Sequence, residues 1–194
     1  FISRALPNRH AISRNAAASN FGLSKRTCIL KMSAYREGSL IISQPTITFL
    51  RLVEHAARDC RESTISAKKK PVTKIDFTRS CADVQKEFVR SYQDKINSGS
   101  STAMVFDPNK IESWWIPEVF VLTEGPFRIP PLTSAVAIPL VKDGNPIIEY
   151  YDSRGVTSSI DWNVGSVIYL AGDSSLKSDG CGNTSFIFLL FKMK

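Results

Sequence analysis

Two carboxylate pairs, Asp173 with Asp179 and Glu149 with Asp152, are of a type and spacing suited to general acid–base work. All four sit near turn-forming residues, where a solvated carboxylate that closes a turn is the simpler reading. Cys181 lies between Gly180 and Gly182, which leaves a thiol accessible, but its one basic neighbour in sequence is Lys177, too little to make it a strong nucleophile. The two histidines are His10 and His55. His55 follows Glu54 on what reads as a helix surface. Cys28, Cys60, Cys81 and Cys181 form no C-x-x-C pair and no regular spacing, so they read as reduced, mostly structural thiols in a reducing compartment. No glycine-rich phosphate cradle of either common spacing occurs. The expectation is therefore no catalytic residue, no metal and no cofactor.

A second chemistry is ligand binding. Trp114, Trp115, Tyr150, Tyr151 and Tyr169 are large amphipathic side chains in the strand-rich half of the chain, and they are the candidate lining of a small-molecule pocket.

The elements that must hold these residues differ between the two halves. Phe49, Val53, Ala56 and Cys60 recur at helical spacing, with Arg51, Glu54, Arg58 and Glu62 on the other side, which predicts an amphipathic helix over 46–61. Lys68-Lys69-Lys70-Pro71 reads as part of an exposed linker near 64–74. Val84, Phe88, Tyr92 and Ile96 predict a second helix over 81–96, started by Ser80 and ended by Asn97-Ser98-Gly99. From residue 102 the period is that of strands: Thr102–Phe106, Glu118–Leu122, Ser134–Val141, Pro146–Asp152, Ser166–Ala171 and Ser185–Met193. Lys142-Asp143-Gly144-Asn145 reads as a tight hairpin between two of them. Strands with no helix between them imply an antiparallel sandwich or barrel, covered on one face by the helices. The expected organisation is α+β: a basic extended N-terminal arm at 1–38, a two-helix segment at 39–100, and a cupin- or jelly-roll-like β body at 101–194. The longest apolar run, Phe186-Ile187-Phe188-Leu189-Leu190-Phe191, is far short of the roughly 20 residues of a spanning helix.

The last third resembles the second half of a cupin-type double-stranded β-helix. The residues that carry the likeness are the segment Ser134 to Asp152, then Trp162-Asn163-Val164-Gly165-Ser166-Val167-Ile168-Tyr169-Leu170-Ala171-Gly172, a glycine-containing loop and the closing strand Phe186–Phe191. In cupins and the related oxoglutarate-dependent oxygenases a glycine opens such a strand and a metal-binding histidine follows the next loop. Here that position falls on Ser175 or Leu176, and the family's first motif, His-x-His or His-x-Asp, has no counterpart in residues 102–152. The resemblance thus implies a cupin emptied of its metal. Gly172-Asp173-Ser174-Ser175-Leu176 is also similar to the Gly-Asp-Ser-Leu block of a lipase family, but no histidine base lies downstream of it.

Charge supplies the remaining clue. Arg4, Arg9, Arg14, Lys25, Arg26, Lys31 and Arg36 precede the first acidic residue, Glu37, and account for most of the net +7. Residues 1–37 carry +6, residues 38–104 carry +4 and residues 105–194 carry −3. An acid-free basic leader means organelle import or a polyanion-binding arm. The chain opens on Phe1 and reads as a processed or partial form. With catalytic motifs set aside, the expectation is a non-enzymatic accessory subunit of a large mitochondrial or other organellar assembly. Those seven basic residues would contact neighbouring protein subunits, RNA or anionic lipid. The alternatives are an RNA-binding jelly-roll coat protein of a virion and a metal-free, small-molecule-binding cupin.

Overall fold

The computed structural model describes residues 42–43, 45–67, 70–97 and 111–193. The arm with its seven basic residues, His10, Cys28 and the expected strand at 102–106 lie outside them. Along the chain come β1 (Ile42–Ser43), α1 (Ile47–Ser66), β2 (Val72–Ile75), α2 (Arg79–Asn97), β3 (Ile111–Trp114), β4 (Glu118–Arg128), β5 (Thr133–Gly144), β6 (Ile148–Tyr151), β7 (Thr157–Ile160), β8 (Val167–Ala171) and β9 (Ser175–Met193).

The helix α1 starts where Thr46 caps it, its Oγ1 accepting from Phe49 N at 3.2 Å. Phe49, Val53, Ala56, Cys60 and Thr64 form its buried stripe. It outlasts the expected end at 61 because a tertiary contact satisfies its last turn: Asn183 Nδ2, on β9, donates to Thr64 O at 3.0 Å. In α2 Thr78 Oγ1 accepts from Cys81 N at 3.3 Å, and Cys81, Val84 and Phe88 are buried. The stretch between the helices is corrected by the structure. Within the expected linker lies β2, paired antiparallel with β4 from Val72↔Leu122 to Ile75↔Val119.

All strand pairings are antiparallel, in the order β1-β8-β5-β9-β4-β2, with β3 and β6 also on β9 and β7 on β6. Two long strands fold this sheet around an interior. The first part of β9 pairs with β6 and with the end of β4, while its second part pairs with β5 and with the start of β4. Register shifts between Leu122 and Glu124, and between Pro139 and Val141, provide the bends. The expected hairpin at 142–145 is therefore a crossing. β5 pairs with β8 and β9, β6 with β7 and β9, and Gly144 carries the chain from one layer to the other with φ at 78°. A β-carbon there would sit 2.7 Å from Cys181 O, so close approach as well as φ demands glycine.

The apolar run at 186–191 has no polar alternation because both faces of β9 are covered. Ile187, Leu189 and Phe191 pack under the helices with Val53, Ala56, Val84 and Phe88. Phe186, Phe188 and Leu190 point the other way, into the barrel. The fold is α+β with a cupin-like antiparallel barrel, and it runs well beyond the C-terminal third that carried the resemblance.

Candidate functional site

The barrel interior is the place where this architecture brings side chains from many strands together. Here those side chains are Leu122, Phe127 and Ile129 of β4 and its extension, Ile148 and Tyr150 of β6, Leu176, Phe186 and Phe188 of β9, and Trp162 before β8. Phe127 stands opposite Leu176 in the ladder, and Tyr150 flanks Leu176 on the other side. The rings of Phe127 and Phe188 are 5.0 Å apart edge-on, and Phe127 meets Phe186 at 5.4 Å. Phe120, half-buried, lies 5.0 Å from Phe127 and 5.8 Å from Phe188, so the aromatic cluster reaches solvent at its ring.

Few polar groups enter this interior. Trp162 Nε1 donates to Thr184 Oγ1 at 2.6 Å, and that hydroxyl donates in turn to Val141 O at 2.9 Å. The Tyr150 hydroxyl is pushed up in pKa, chiefly by burial, with Ser174 and the Ala171 backbone opposing. Among the described residues no Asp, Glu, Lys, Arg or His side chain is buried. Among the described residues, then, no cation lies inside to hold a dicarboxylate such as oxoglutarate.

The metal of the cupin and oxygenase families can be tested against these donors. Leu176, at the position of the expected histidine, is fully buried and contributes carbon only. A ligand pair separated by one residue needs two neighbouring inward positions; here Phe127 stands opposite Leu176, and Ile129, just past the end of β4, donates its N–H to Ser174 O, so both inward side chains are hydrocarbon. Ser175, the other candidate position, pairs with Arg128 and Tyr151. Among the described residues no group of three or more His, Cys, Asp or Glu side chains could hold a metal ion. The interior does not fit iron.

The other chemistry-bearing residues do structural work where they are placed. Asp152 Oδ1 accepts from the backbone N–H of Arg154 and Val156, and Asp179 Oδ1 from those of Ile147 and Cys181. Those bonds hold both carboxyls below the usual range. Glu149 accepts from the Tyr151 hydroxyl at 2.7 Å. Ser174, of the lipase-like block, is buried and donates to Ala171 O at 2.5 Å, closing a turn. Cys181 is exposed, and the hydrogen bond and charge of Asp179 push its pKa up, away from thiolate chemistry. His55 is exposed on α1 beside Arg58.

The five candidate pocket residues fall in different places. Tyr150 is in the barrel, whereas Tyr169 belongs to the cluster under the helices. Tyr151 is half-buried against Glu149, with the Lys177 ammonium 6.0 Å from its ring centroid. Trp114 and Trp115 are exposed beside β9, Trp114 tilted on Phe191 at 5.3 Å. Sequence reasoning missed the phenylalanines that line the interior. Alternation of inward positions along β4 and β9 was the signal for them, but the bulges that set the inward face are invisible in one dimension.

No protein-family model matches the chain. No curated protein matches it either. Solved structures do. A prolyl-4-hydroxylase from Pseudomonas putida is similar over 81% of this chain and 94% of its own, with 16% identity and a TM-score of 0.52. A prolyl hydroxylase from Trichoplax adhaerens, in complex with a hypoxia inducible factor oxygen degradation domain peptide fragment, is similar over 81% of this chain and 84% of its own, with 10% identity and a TM-score of 0.56. The expectations of a non-enzymatic accessory subunit and of a coat protein are corrected by this finding: the body has the architecture of prolyl hydroxylases, which are enzymes. They followed from reading missing catalytic motifs and a basic leader as a scaffold, when neither reports on the architecture of the barrel.

Proposed function

We propose that this protein is an enzyme-type barrel of prolyl hydroxylase architecture that takes an extended, proline-containing chain as its substrate at the half-buried ring of Phe120. The observation that carries the reading is the four-ring cluster of Phe120, Phe127, Phe186 and Phe188, buried at three rings and open at the fourth. Aromatic faces suit the pyrrolidine ring, which is apolar and rigid and loses little entropy on binding. The Trichoplax adhaerens structure, with its bound peptide fragment, supports a chain-like substrate for this architecture. Charge argues the same way, since an interior without buried cations suits an apolar guest better than an anion. Any chemical step must use donors other than Phe127, Ile129 and Leu176.

The test is titration of the full chain with a proline-rich decapeptide, followed by tryptophan fluorescence, alongside an assay for iron- and oxoglutarate-dependent turnover. Saturable binding that weakens about tenfold in Phe120→Ala, as expected for loss of one well-packed ring, supports the reading. Absence of binding at millimolar peptide, or binding indifferent to Phe120→Ala, overturns it. Oxoglutarate consumption that requires iron overturns the metal-free part.

A further inference from the structure

Cys60 and Cys81 lie far apart in sequence, on α1 and α2, yet their sulfurs are 3.8 Å apart. Both are buried, at 1% and 0% exposure, between the helices and the sheet. A disulfide needs about 2.05 Å between sulfurs, so the pair requires a rotamer change and a small approach of the helices. The two thiols are unequal. Cys81 is the third residue of α2, where the N-terminal end of the helix favours negative charge, and its Sγ receives the Thr78 hydroxyl at 3.3 Å. The hydrogen bond from Cys60 draws the Cys81 thiol down to about 7, with Thr78 adding to the effect against burial. Cys60, in contact with the Cys81 sulfur and itself desolvated, is pushed up. Cys81, at the helix N-terminus and under the Thr78 hydroxyl, is thus the thiol of the pair that gives up its proton more readily.

We propose that Cys60 and Cys81 form a redox modification site, in which a small peroxide converts the thiol pair to a disulfide that ties α1 to α2. The Cys81 thiolate attacks a peroxide oxygen, the O–O bond breaks, and a sulfenic acid and hydroxide form. The Cys60 sulfur then attacks the sulfenic sulfur; the S–O bond breaks, and the displaced hydroxide takes the Cys60 proton to leave as water. Two thiols are oxidised, and one hydrogen peroxide is reduced to two waters. A peroxide is small enough to reach a buried pair through a local opening of the helix layer. The bond closes the loop that carries β2, the strand paired with β4 whose Val72 packs against the interior cluster. Oxidation would therefore pin a strand beside Phe120, whatever the barrel binds.

Hydrogen peroxide treatment of the reduced full chain, blocking of remaining thiols in denaturant and peptide mapping test this directly. The expected product links Cys60 to Cys81, raises the thermal midpoint by several degrees and reverts with dithiothreitol. In Cys60→Ser the reaction stops at a sulfenic acid on Cys81, trapped by dimedone, whereas in Cys81→Ser Cys60 stays unmodified. Recovery of both residues as free thiols after Cys181 has been oxidised overturns the proposal, as does linkage of either to another cysteine. A dimedone adduct on Cys60 overturns the order of attack. The wild-type map decides the matter even if a variant fails to fold.

Discussion

Phe127 of β4 and Leu176 of β9 stand directly opposite each other across an antiparallel ladder, both turned into the barrel. Leu176 is one of the two positions, with Ser175, where the cupin resemblance implied a histidine, and Phe127 opposite it and Ile129 just past the end of β4 are hydrocarbon too. This part of the interior is hydrocarbon packed on hydrocarbon, which stabilises the fold by burial.

Chelation should therefore leave the folded chain unaffected. EDTA is expected to shift the thermal midpoint by less than about 1 °C, since a ligand stabilises only the state that binds it. Leu176→Ala, by contrast, opens a cavity beside Phe127 and Tyr150 and should destabilise by about 2–5 kcal/mol in denaturant unfolding. A midpoint that falls with EDTA and returns with iron contradicts this account.

The Trp162–Thr184 hydrogen bond gives an asymmetric pair of variants. Thr184→Val leaves the buried indole N–H without its acceptor and Val141 O without its donor, at a cost of about 2–3 kcal/mol. Trp162→Phe removes the donor along with the need for it and leaves Thr184 bonded to Val141. The hydrogen-bonding loss is smaller, but the lost ring area adds about 1–2 kcal/mol. Urea unfolding of both variants and of the double variant measures the coupling, which should fall between about 0.5 and 3 kcal/mol.

Gly144 and Gly155 share a φ of 78°, which makes them a controlled comparison. A β-carbon on Gly155 meets nothing within 4 Å, so Gly155→Ala should cost only the conformational term of about 1 kcal/mol. Gly144→Ala adds a collision with the Cys181 carbonyl at the layer crossing and should cost several times more. Equal midpoints for the two variants would show that the crossing relaxes freely.

Asp179 lies against the exposed Cys181 at the turn that carries both. Its carboxylate raises the thiol pKa, while its Oδ1 holds the Ile147 and Cys181 N–H groups. Asp179→Asn keeps an acceptor oxygen and removes the charge, so more thiolate is present at any pH below the thiol's pKa. Iodoacetamide labelling of Cys181 should speed up severalfold near pH 8, and the rate profile should move to lower pH. An unchanged profile would mean that the charge of Asp179 does not act on the thiol.

Local periodicity was enough to place α1, α2 and most of the strands. Phe49, Val53, Ala56 and Cys60 trace a helix face whatever they pack on, and the six-residue run before Lys192 could only be a strand covered on both sides or a short buried helix. The weak cupin-like likeness was readable because glycines such as Gly165 and Gly172 mark turns that any sheet of this kind must make. What stayed illegible was long-range. Gly144 announced a special backbone angle, but a hairpin and a layer crossing use the same angle. Likewise, β2 has too few residues to show a period, and it is a strand only because β4 offers it an edge.

The sequence by itself determined the composition of the site: with no histidine between His55 and the C-terminus, the β body had no imidazole to give a metal. It also determined the two helices and most of the strands, since those depend on neighbours within a few residues, whereas β2 and the end of α1 waited on β4 and Asn183. Only the tertiary structure decided which carbons line the interior, that Tyr150 and Tyr169 lie in separate clusters, and that Cys60 meets Cys81. Those facts depend on register across β4, β9 and the helix layer. Register is fixed by bulges and by the packing of both faces of β9, interactions between residues that are distant in the chain.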